Sequence, residues 1–166
     1  MDRVKIVPAT KEQQTILANL LELYLYDFTE RWPFDIGDNG FYGYEYLPLY
    51  WQEPNRFPFL IYVAGKIAGF VLVQQGSPLE NEPQIWDIAE FFIMHKYRKQ
   101  GIGTNVVHKV WQQFKGRWQV RVLQANIIAR AFWVQAIEKF TGHEVAFVTI
   151  ADKDNYKWDI FKFDSA

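Results

Sequence analysis

An apolar run at 85–94 leads through a short basic turn into an amphipathic helix, and this arrangement constrains the fold more than any other feature of the sequence. The run predicts a buried central strand. Apolar residues then recur at helical spacing over 101–114, and a second strand and a second helix follow at 118–123 and 126–140. Strands that alternate with helices form parallel crossover units, so we expect a parallel pair in the sheet.

Hairpin patterns flank this unit and predict antiparallel pairs on both sides of it. The first hairpin joins strands at 59–63 and 67–74, and the second joins strands at 145–150 and 156–163. The flanking pairs make the predicted sheet mostly antiparallel.

The chain before the first hairpin predicts a strand at 4–7 and a helix over 11–28, with Thr10 and Gln13 at the spacing of a capping box. Glycine and proline punctuate 29–58, which predicts a loop with one short helix near 46–53. The whole pattern predicts an α/β (α+β) fold, a mixed sheet of about seven strands flanked by about four helices.

Composition limits the classes of function. The chain has 166 residues, of which 49% are hydrophobic, so we expect one domain spanning 1–166. A net charge of −1 argues against a surface built for nucleic acid or an acidic membrane. There is no cysteine, which excludes disulfides and a cysteine nucleophile. The histidines lack metal-ligand spacing, and no window reaches the ~20 apolar residues of a membrane span, so we expect a cytoplasmic protein without a metal.

The turn between the apolar strand and the helix carries the most informative chemistry. It reads Arg98-Lys99-Gln100-Gly101-Ile102-Gly103-Thr104. Glycines let the backbone approach a ligand, and the first amides of a helix lack intrahelical partners and lie at the positive end of its dipole. These features predict a phosphate-binding site, although the Walker A pattern and the dinucleotide fingerprint are both absent.

With this turn, the sequence resembles the GCN5-related N-acetyltransferase (GNAT) superfamily over about 85–142, in which Q/R-x-x-G-x-G/A binds the diphosphate of acetyl-CoA. A second family motif, Asn-x-x-Ala before an aromatic pair, matches Asn126, Ala129, Phe132 and Trp133. The resemblance implies a GNAT-like sheet whose central parallel pair splays apart to admit pantetheine. The coenzyme-binding residues that it implies are Phe92, Ile93, Met94, Arg98, Lys99, Gln100, Gly101, Ile102, Gly103, Thr104, Asn126, Phe132 and Trp133.

The resemblance also implies an activity. The chain would be an N-acyltransferase that moves an acetyl group from acetyl-CoA to a primary amine, by direct attack within a ternary complex. Acetyl-CoA would be the acyl donor, and a small amine or a peptide the acceptor. A homodimer is possible, because members of this superfamily often dimerise. The resemblance implies no metal, no nucleic acid and no membrane as partners.

Two carboxylates in the apolar strand, Asp87 and Glu90, are candidates for the base that deprotonates the amine. Asp87 lies where several family members carry a carboxylate, whereas Glu90 is nearer to the expected thioester. Simple alternation places them on opposite faces of the strand, and a bulge would change that parity. The family often has a tyrosine acid where this chain has Trp133, so that role is vacant or has moved to Tyr97, Tyr156 or His95.

Charge is distributed unevenly along the chain. Residues 95–121 hold seven basic and no acidic side chains, whereas 21–53 hold seven acidic and one basic. The basic part suits a phosphorylated coenzyme, and the acidic, aromatic part suits a cationic amine acceptor.

Other interpretations remain open. A protein of the same fold could bind acyl-CoA without catalysis, which the vacant acid position favours. The basic segment and the aromatic residues could instead bind nucleic acid, which the acidic segment disfavours. Asn126 could serve only as a helix cap, and Phe132 and Trp133 could serve only as core residues.

Overall fold

A computed structural model describes residues 3–166, so the first two residues of the predicted domain lie outside the described range. Seven strands form one sheet in the order β1-β2-β3-β4-β5-β7-β6. Their bounds are β1 Val4–Pro8, β2 Arg56–Val63, β3 Lys66–Gln75, β4 Trp86–Ile93, β5 Gly116–Leu123, β6 Phe147–Ala151 and β7 Lys157–Ser165. All seven predicted strands are confirmed, with small differences at their ends.

Three α-helices accompany the sheet: α1 Gln14–Phe28, α2 Ile102–Gln113 and α3 Ile127–Thr141. With the short helix predicted near 46–53, they make up the expected number of about four. The segment predicted near 46–53 is a 3-10 helix, Leu47–Trp51, with a proline in its first turn. Two further 3-10 turns occur at Lys11–Gln13, before α1, and at His95–Tyr97, after β4. At the predicted capping box, the Thr10 N–H donates to Gln13 Oε1 over 2.9 Å.

Two apolar layers lie on opposite faces of the sheet. Helices α2 and α3 cover one face, where Val106, Trp111 and Ile137 are buried against Trp118 and Phe161. Helix α1 and the 3-10 helix Leu47–Trp51 cover part of the other face. The second face is covered less completely, so its strands can present polar side chains to a cleft.

The centre of the sheet is splayed. Strands β4 and β5 are parallel, which confirms the predicted crossover, but they pair only at Trp86 with Trp118 and at Asp87 with Gln119. Past Asp87, β4 has no paired strand on its β5 side among the described residues. A slot therefore opens between β4 and β5 and widens toward the start of α2.

Strand β4 carries a bulge. Its register against β3 pairs Glu90 with Leu72 but Ile88 with Val73, which leaves Ala89 as an extra residue. Asp87 pairs with Gln74, and Gln74 and Leu72 point to the same face because they are two residues apart. Asp87 and Glu90 consequently share the α1 face, so the bulge overturns simple alternation.

None of the helices among residues 3–166 combines the length and the apolar character needed to cross a membrane.

Candidate active site

The turn after β4 exposes a row of backbone amides. Lys99 and Gly101 both have positive φ, 58° and 77°, and this left-handed backbone directs the turn into α2. The first intrahelical bond runs from the Asn105 N–H to the Gly101 carbonyl, so the amides of 101–104 have no partner within the helix. A Cβ built on Gly101 meets no atom within 4 Å, so the space beside the Cα of Gly101 is open.

The side chains of the turn point in different directions. The Arg98 guanidinium turns back toward α1 and donates from Nη2 to Asp27 Oδ2 over 2.9 Å. Gln100 Nε2 donates to the Lys96 carbonyl, and Gln100 Oε1 accepts from Arg3. Lys99 is exposed and has no side-chain partner among residues 3–166, so it is the cation of the turn that remains free for an anion.

The backbone of β4 has one edge that faces the slot. The Met94 N–H donates to the Ala68 carbonyl of β3 over 2.8 Å. Since backbone groups alternate between the two edges of a strand, the amide groups of Phe92 also face β3, and those of Phe91 and Ile93 face the slot. Of the three residues expected to pair with pantetheine, the register turns only Ile93 toward the slot. The Ile93 carbonyl accepts from Arg98 Nε over 2.6 Å, and its N–H faces the slot, as do the amide groups of Phe91.

The second predicted motif lies mostly in the core. Asn126 caps α3, because its Oδ1 accepts from the Ala129 N–H over 3.1 Å. Trp133 is buried between α2 and the sheet. Phe132 stacks on Phe91 with ring centroids 5.8 Å apart, and it also lies 3.1 Å from the position of a Cβ on Gly103. Phe132 is therefore the aromatic residue of this motif that reaches the turn.

Glu90 lies at the slot, on the α1 face, and is partly buried. Its Oε2 accepts from the Tyr24 hydroxyl over 2.5 Å, and its Oε1 accepts from the Tyr44 hydroxyl over 3.3 Å. Burial raises the pKa of Glu90, and the Tyr24 hydrogen bond, Arg121 and the Tyr44 hydrogen bond offset only part of that effect. A carboxylate with a raised pKa and neutral donors is suited to accept a proton.

Burial and the proximity of Glu90 also raise the pKa values of Tyr24 and Tyr44 well above the usual range, so both hydroxyls stay protonated and act as donors. A carboxylate on α1 fixes the loop before Tyr44. Glu22 accepts from the Tyr42 N–H over 2.7 Å and from the Gly43 N–H over 2.8 Å.

Asp87 shares the face of Glu90 but has a different environment. It is fully buried, and Arg121 donates to its two oxygens from Nε and Nη2, each over 2.8 Å. Gln74 and Gln119 add bonds of 2.9 Å and 3.1 Å. These four bonds use the acceptor capacity of the carboxylate, which leaves little for a substrate proton.

An aromatic wall extends from Glu90 toward the surface. Tyr24 packs on Phe28, Phe28 on Trp32, and Trp32 on Tyr156 of the β6–β7 loop, with centroids 6.0 Å, 6.3 Å and 4.2 Å apart. Trp158 also contacts Trp32, at 6.3 Å. The wall joins the chain after α1 to the far hairpin and lines the α1 face beside the slot.

The three residues considered for the role of general acid lie in three different parts of the structure. Tyr97 packs against the core layer of α2 and α3. Tyr156 belongs to the aromatic wall, and His95 Nε2 lies 3.0 Å from Asp27 Oδ1 on the outside of α1. None of the three contacts Glu90 in the described residues.

Sequence reasoning missed Tyr24 and Tyr44 as partners of Glu90. The helical spacing of α1 assigned Tyr24 to the core stripe, and Tyr44 lies in a segment without periodicity. The one signal was the polar hydroxyl on an otherwise apolar stripe, because a buried hydroxyl requires a partner.

A splayed mixed sheet, with an amide-lined turn at the mouth of the splay, defines a coenzyme A-dependent acyltransferase. A sequence profile of the acetyltransferase (GNAT) family matches residues 17–136. The chain belongs to this family and is an acetyl-CoA-dependent N-acetyltransferase. No curated protein matches the sequence at a significant level.

Solved structures resemble the fold at low sequence identity. An acetyltransferase from Thermus thermophilus is 16% identical, with a TM-score of 0.72 over 98% of this chain and 97% of that one. The aminoglycoside acetyltransferase AAC(6')-Ib in complex with coenzyme A is 15% identical, with a TM-score of 0.70 over 97% and 94%. The ribosomal L7/L12 alpha-N-protein acetyltransferase RimL in complex with coenzyme A is 12% identical, with a TM-score of 0.66 over 99% and 95%.

Proposed function

We propose that the protein acetylates a primary amine that carries positive charge, with Glu90 as the general base. One observation carries the proposal: Glu90 is the carboxylate at the splay, and it is held by two neutral hydroxyls and not by a cation. A carboxylate paired with a cation would be a weaker base, because the cation favours its ionised form.

The coenzyme would lie along the slot. The open amides of 101–104 face the position of the diphosphate, and Lys99 supplies the free positive charge beside them. Pantetheine would run along the edge of β4 that presents Phe91 and Ile93. The amides from this edge provide backbone donors, as an added strand would.

The chemistry then follows from charge. An alkylammonium has a pKa of about 10.4, so Glu90 must take a proton from it to free the nitrogen lone pair. The nitrogen attacks the thioester carbon, and a backbone N–H on the slot edge of β4 would donate to the oxyanion that forms. When the tetrahedral intermediate collapses, the C–S bond breaks and the attacking nitrogen loses its second proton. The departing thiolate has a conjugate acid pKa of about 8.5, so it leaves with modest assistance and can take up that second proton, while Glu90 releases the first to water.

The acceptor class follows from the side of the sheet on which Glu90 lies. An amine that reaches Glu90 from the α1 side passes the aromatic wall and the segment 21–53, which holds seven acidic side chains and one basic. Aromatic faces and carboxylates both attract ammonium groups. The structural neighbours act on an aminoglycoside and on a protein N-terminus, and for this chain we favour a small polycationic amine over a peptide.

Thiol release measured on mixing with acetyl-CoA and a panel of polyamines, aminoglycosides and peptides tests the proposed acceptor class. We expect release that depends on the amine and is fastest with the small polycationic members. Release with peptides alone would refute the proposed acceptor class.

The diphosphate assignment has its own test. Gly101→Glu places a carboxylate in front of the open amides, and we expect it to abolish coenzyme A binding in calorimetry while the far-UV circular dichroism is kept. Gly142→Glu is the matched control, because Gly142 has a similar φ, 82°, at the end of α3. Unchanged coenzyme affinity in Gly101→Glu would refute the assignment.

A further inference from the structure

Arg98 belongs to the motif that resemblance assigns to the coenzyme, yet its side chain is bound elsewhere. Its Nη2 donates to Asp27 on α1, and its Nε donates to the Ile93 carbonyl on β4 over 2.6 Å. The guanidinium carbon also lies 5.5 Å from the ring centroid of Phe92. Three contacts therefore hold Arg98 between the end of β4 and the last turn of α1.

We propose that Arg98 and Asp27 are positioning residues for the base, because their ion pair fixes α1 against β4 so that Tyr24 keeps its hydrogen bond to Glu90. The inference rests on the proposed role of Glu90. It assigns Arg98 to the placement of the base and leaves Lys99 and the amides of 101–104 to hold the diphosphate.

The geometry of α1 makes the connection direct. Asp27 follows Tyr24 by three residues, so both side chains lie on one face of the helix. Both carboxylate oxygens of Asp27 are bound, Oδ2 by Arg98 and Oδ1 by His95 Nε2 at 3.0 Å. Arg98 and His95 both come from the chain just after β4, which is the strand that carries Glu90. The cluster of Asp27, Arg98 and His95 thus ties the helix that carries Tyr24 to the chain that follows Glu90.

This cluster adds little to global stability. The side chains of Arg98 and Asp27 are 37% and 32% exposed, and solvent screens ion pairs at such sites. Partial burial raises the pKa of Asp27, but the hydrogen bonds from Arg98 and His95 outweigh it and lower the pKa overall. Asp27 therefore stays ionised at neutral pH, and its contribution is to geometry.

Five groups set the proton affinity of Glu90. They are Tyr24 from α1, Tyr44 and Tyr50 from the 29–55 segment, Arg121 from β5 and Asp87 from β4. Burial raises the pKa of Glu90, and the Tyr24 hydrogen bond is the largest effect that lowers it. If α1 moves and this bond lengthens, the pKa rises further, and a smaller fraction of Glu90 is ionised at neutral pH.

The test compares Asp27→Asn, Arg98→Met and Lys99→Met, with Glu12→Gln as a control in the 3-10 turn before α1. Glu12 is exposed and has no side-chain partner among residues 3–166. We measure kcat against pH with the best amine, and the dissociation constant of coenzyme A by calorimetry. We expect Asp27→Asn and Arg98→Met to move the acid limb of the kcat profile to higher pH. At a given pH on that limb kcat should fall by about three- to tenfold, with recovery at higher pH, because a pKa change of up to one unit changes the ionised fraction there by up to tenfold.

Coenzyme affinity separates the two roles of the turn. We expect it to change less than about twofold in Asp27→Asn and Arg98→Met, and to weaken about tenfold in Lys99→Met, whose pH profile stays in place. The double variant Asp27→Asn/Arg98→Met should match either single variant, because both substitutions remove one interaction. Glu12→Gln should match the unmodified protein.

Two results would overturn the inference. One is an unmoved pH profile in both Asp27→Asn and Arg98→Met. The other is a tenfold loss of coenzyme affinity in Arg98→Met alone, which would return Arg98 to the diphosphate. Glu90→Gln distinguishes this failure from failure of the proposed function. If Glu90→Gln is inactive while the profiles stay in place, only the positioning role fails, and if Glu90→Gln is fully active, the base assignment fails as well.

Discussion

The two carboxylates of β4 occupy contrasting regions of the same face. Asp87 lies where β4 and β5 are still paired, and it is saturated by a guanidinium and two amides. Glu90 lies past that point, where the strands have separated, and its partners in residues 3–166 are two hydroxyls. The splay therefore divides the strand into a part that holds the sheet together and a part where we propose that a proton is exchanged.

The difference shows that burial alone does not mark a base. Asp87 is the more buried of the two, but both of its oxygens already accept hydrogen bonds from the Arg121 guanidinium. Burial lowers the pKa of Arg121, and Asp87, Glu90 and Tyr24 together raise it by more. Glu90 has no such partner at contact distance among the described residues, so its raised pKa persists.

The largest effect should come from removing Asp87, the carboxylate in the paired part of β4. Asp87→Ala leaves the Arg121 guanidinium buried without its counterion, and we expect the free energy of unfolding to fall by about 3–5 kcal/mol. Urea unfolding followed by tryptophan fluorescence measures it. Asp154→Ala, in the exposed β6–β7 turn, is the control and should change stability by less than about 0.5 kcal/mol. A comparable small change in Asp87→Ala would remove Asp87 from the structural role.

The next largest effect should come from replacing Glu90, the proposed base. Glu90→Gln keeps the size and the hydrogen-bonding capacity of the side chain but removes the base, and we expect kcat to fall by about 10²–10⁴-fold. Initial rates of thiol release measure it, and coenzyme affinity should be unchanged. Glu144→Gln, on the exposed loop between α3 and β6, serves as the matched control. Full turnover in Glu90→Gln would assign proton removal to water or to another group.

The comparison also explains which parts of the molecule the sequence could predict. The turn at 98–104 was predictable because its chemistry lies in consecutive backbone amides, fixed by two glycines and a helix start. All seven strands and the parallel crossover were predictable because periodicity reports which residues are buried. In contrast, the bulge at Ala89 has no signature in the sequence, and it alone places Asp87 and Glu90 on one face.

The surroundings of Glu90 could not be predicted for a further reason. Tyr24 is 66 residues away in sequence and Tyr44 is 46 away, and they reach Glu90 only after α1 and the loop have packed onto the sheet. The direction of the Arg98 side chain was hidden for the same reason, because Asp27 is 71 residues away. Long-range contacts between isolated polar groups leave no periodic trace.

A finer test concerns the donors to Glu90. Tyr24→Phe removes the shorter hydrogen bond and keeps the ring in the aromatic wall. Because that bond lowers the pKa of Glu90, its loss should raise the pKa further. Activity depends on ionised Glu90 and is lost as pH falls through its pKa, so the acid limb of the kcat profile should move to higher pH, by about half a pH unit to one unit. An acid limb that stays in place would show that the observed limb belongs to another group.

The smallest effect should follow from Tyr44→Phe. The Tyr44 hydroxyl lies 3.3 Å from Glu90 Oε1, against 2.5 Å for Tyr24 and Oε2, so its hydrogen bond is weaker and its removal should move the acid limb in the same direction by only a few tenths of a pH unit. The same kcat profiles measure it, and Tyr46→Phe on the exposed side of the loop is the control. If Tyr44→Phe moves the limb more than Tyr24→Phe, the loop and not α1 sets the proton affinity of the base, and the positioning role of the Arg98–Asp27 pair loses its physical basis.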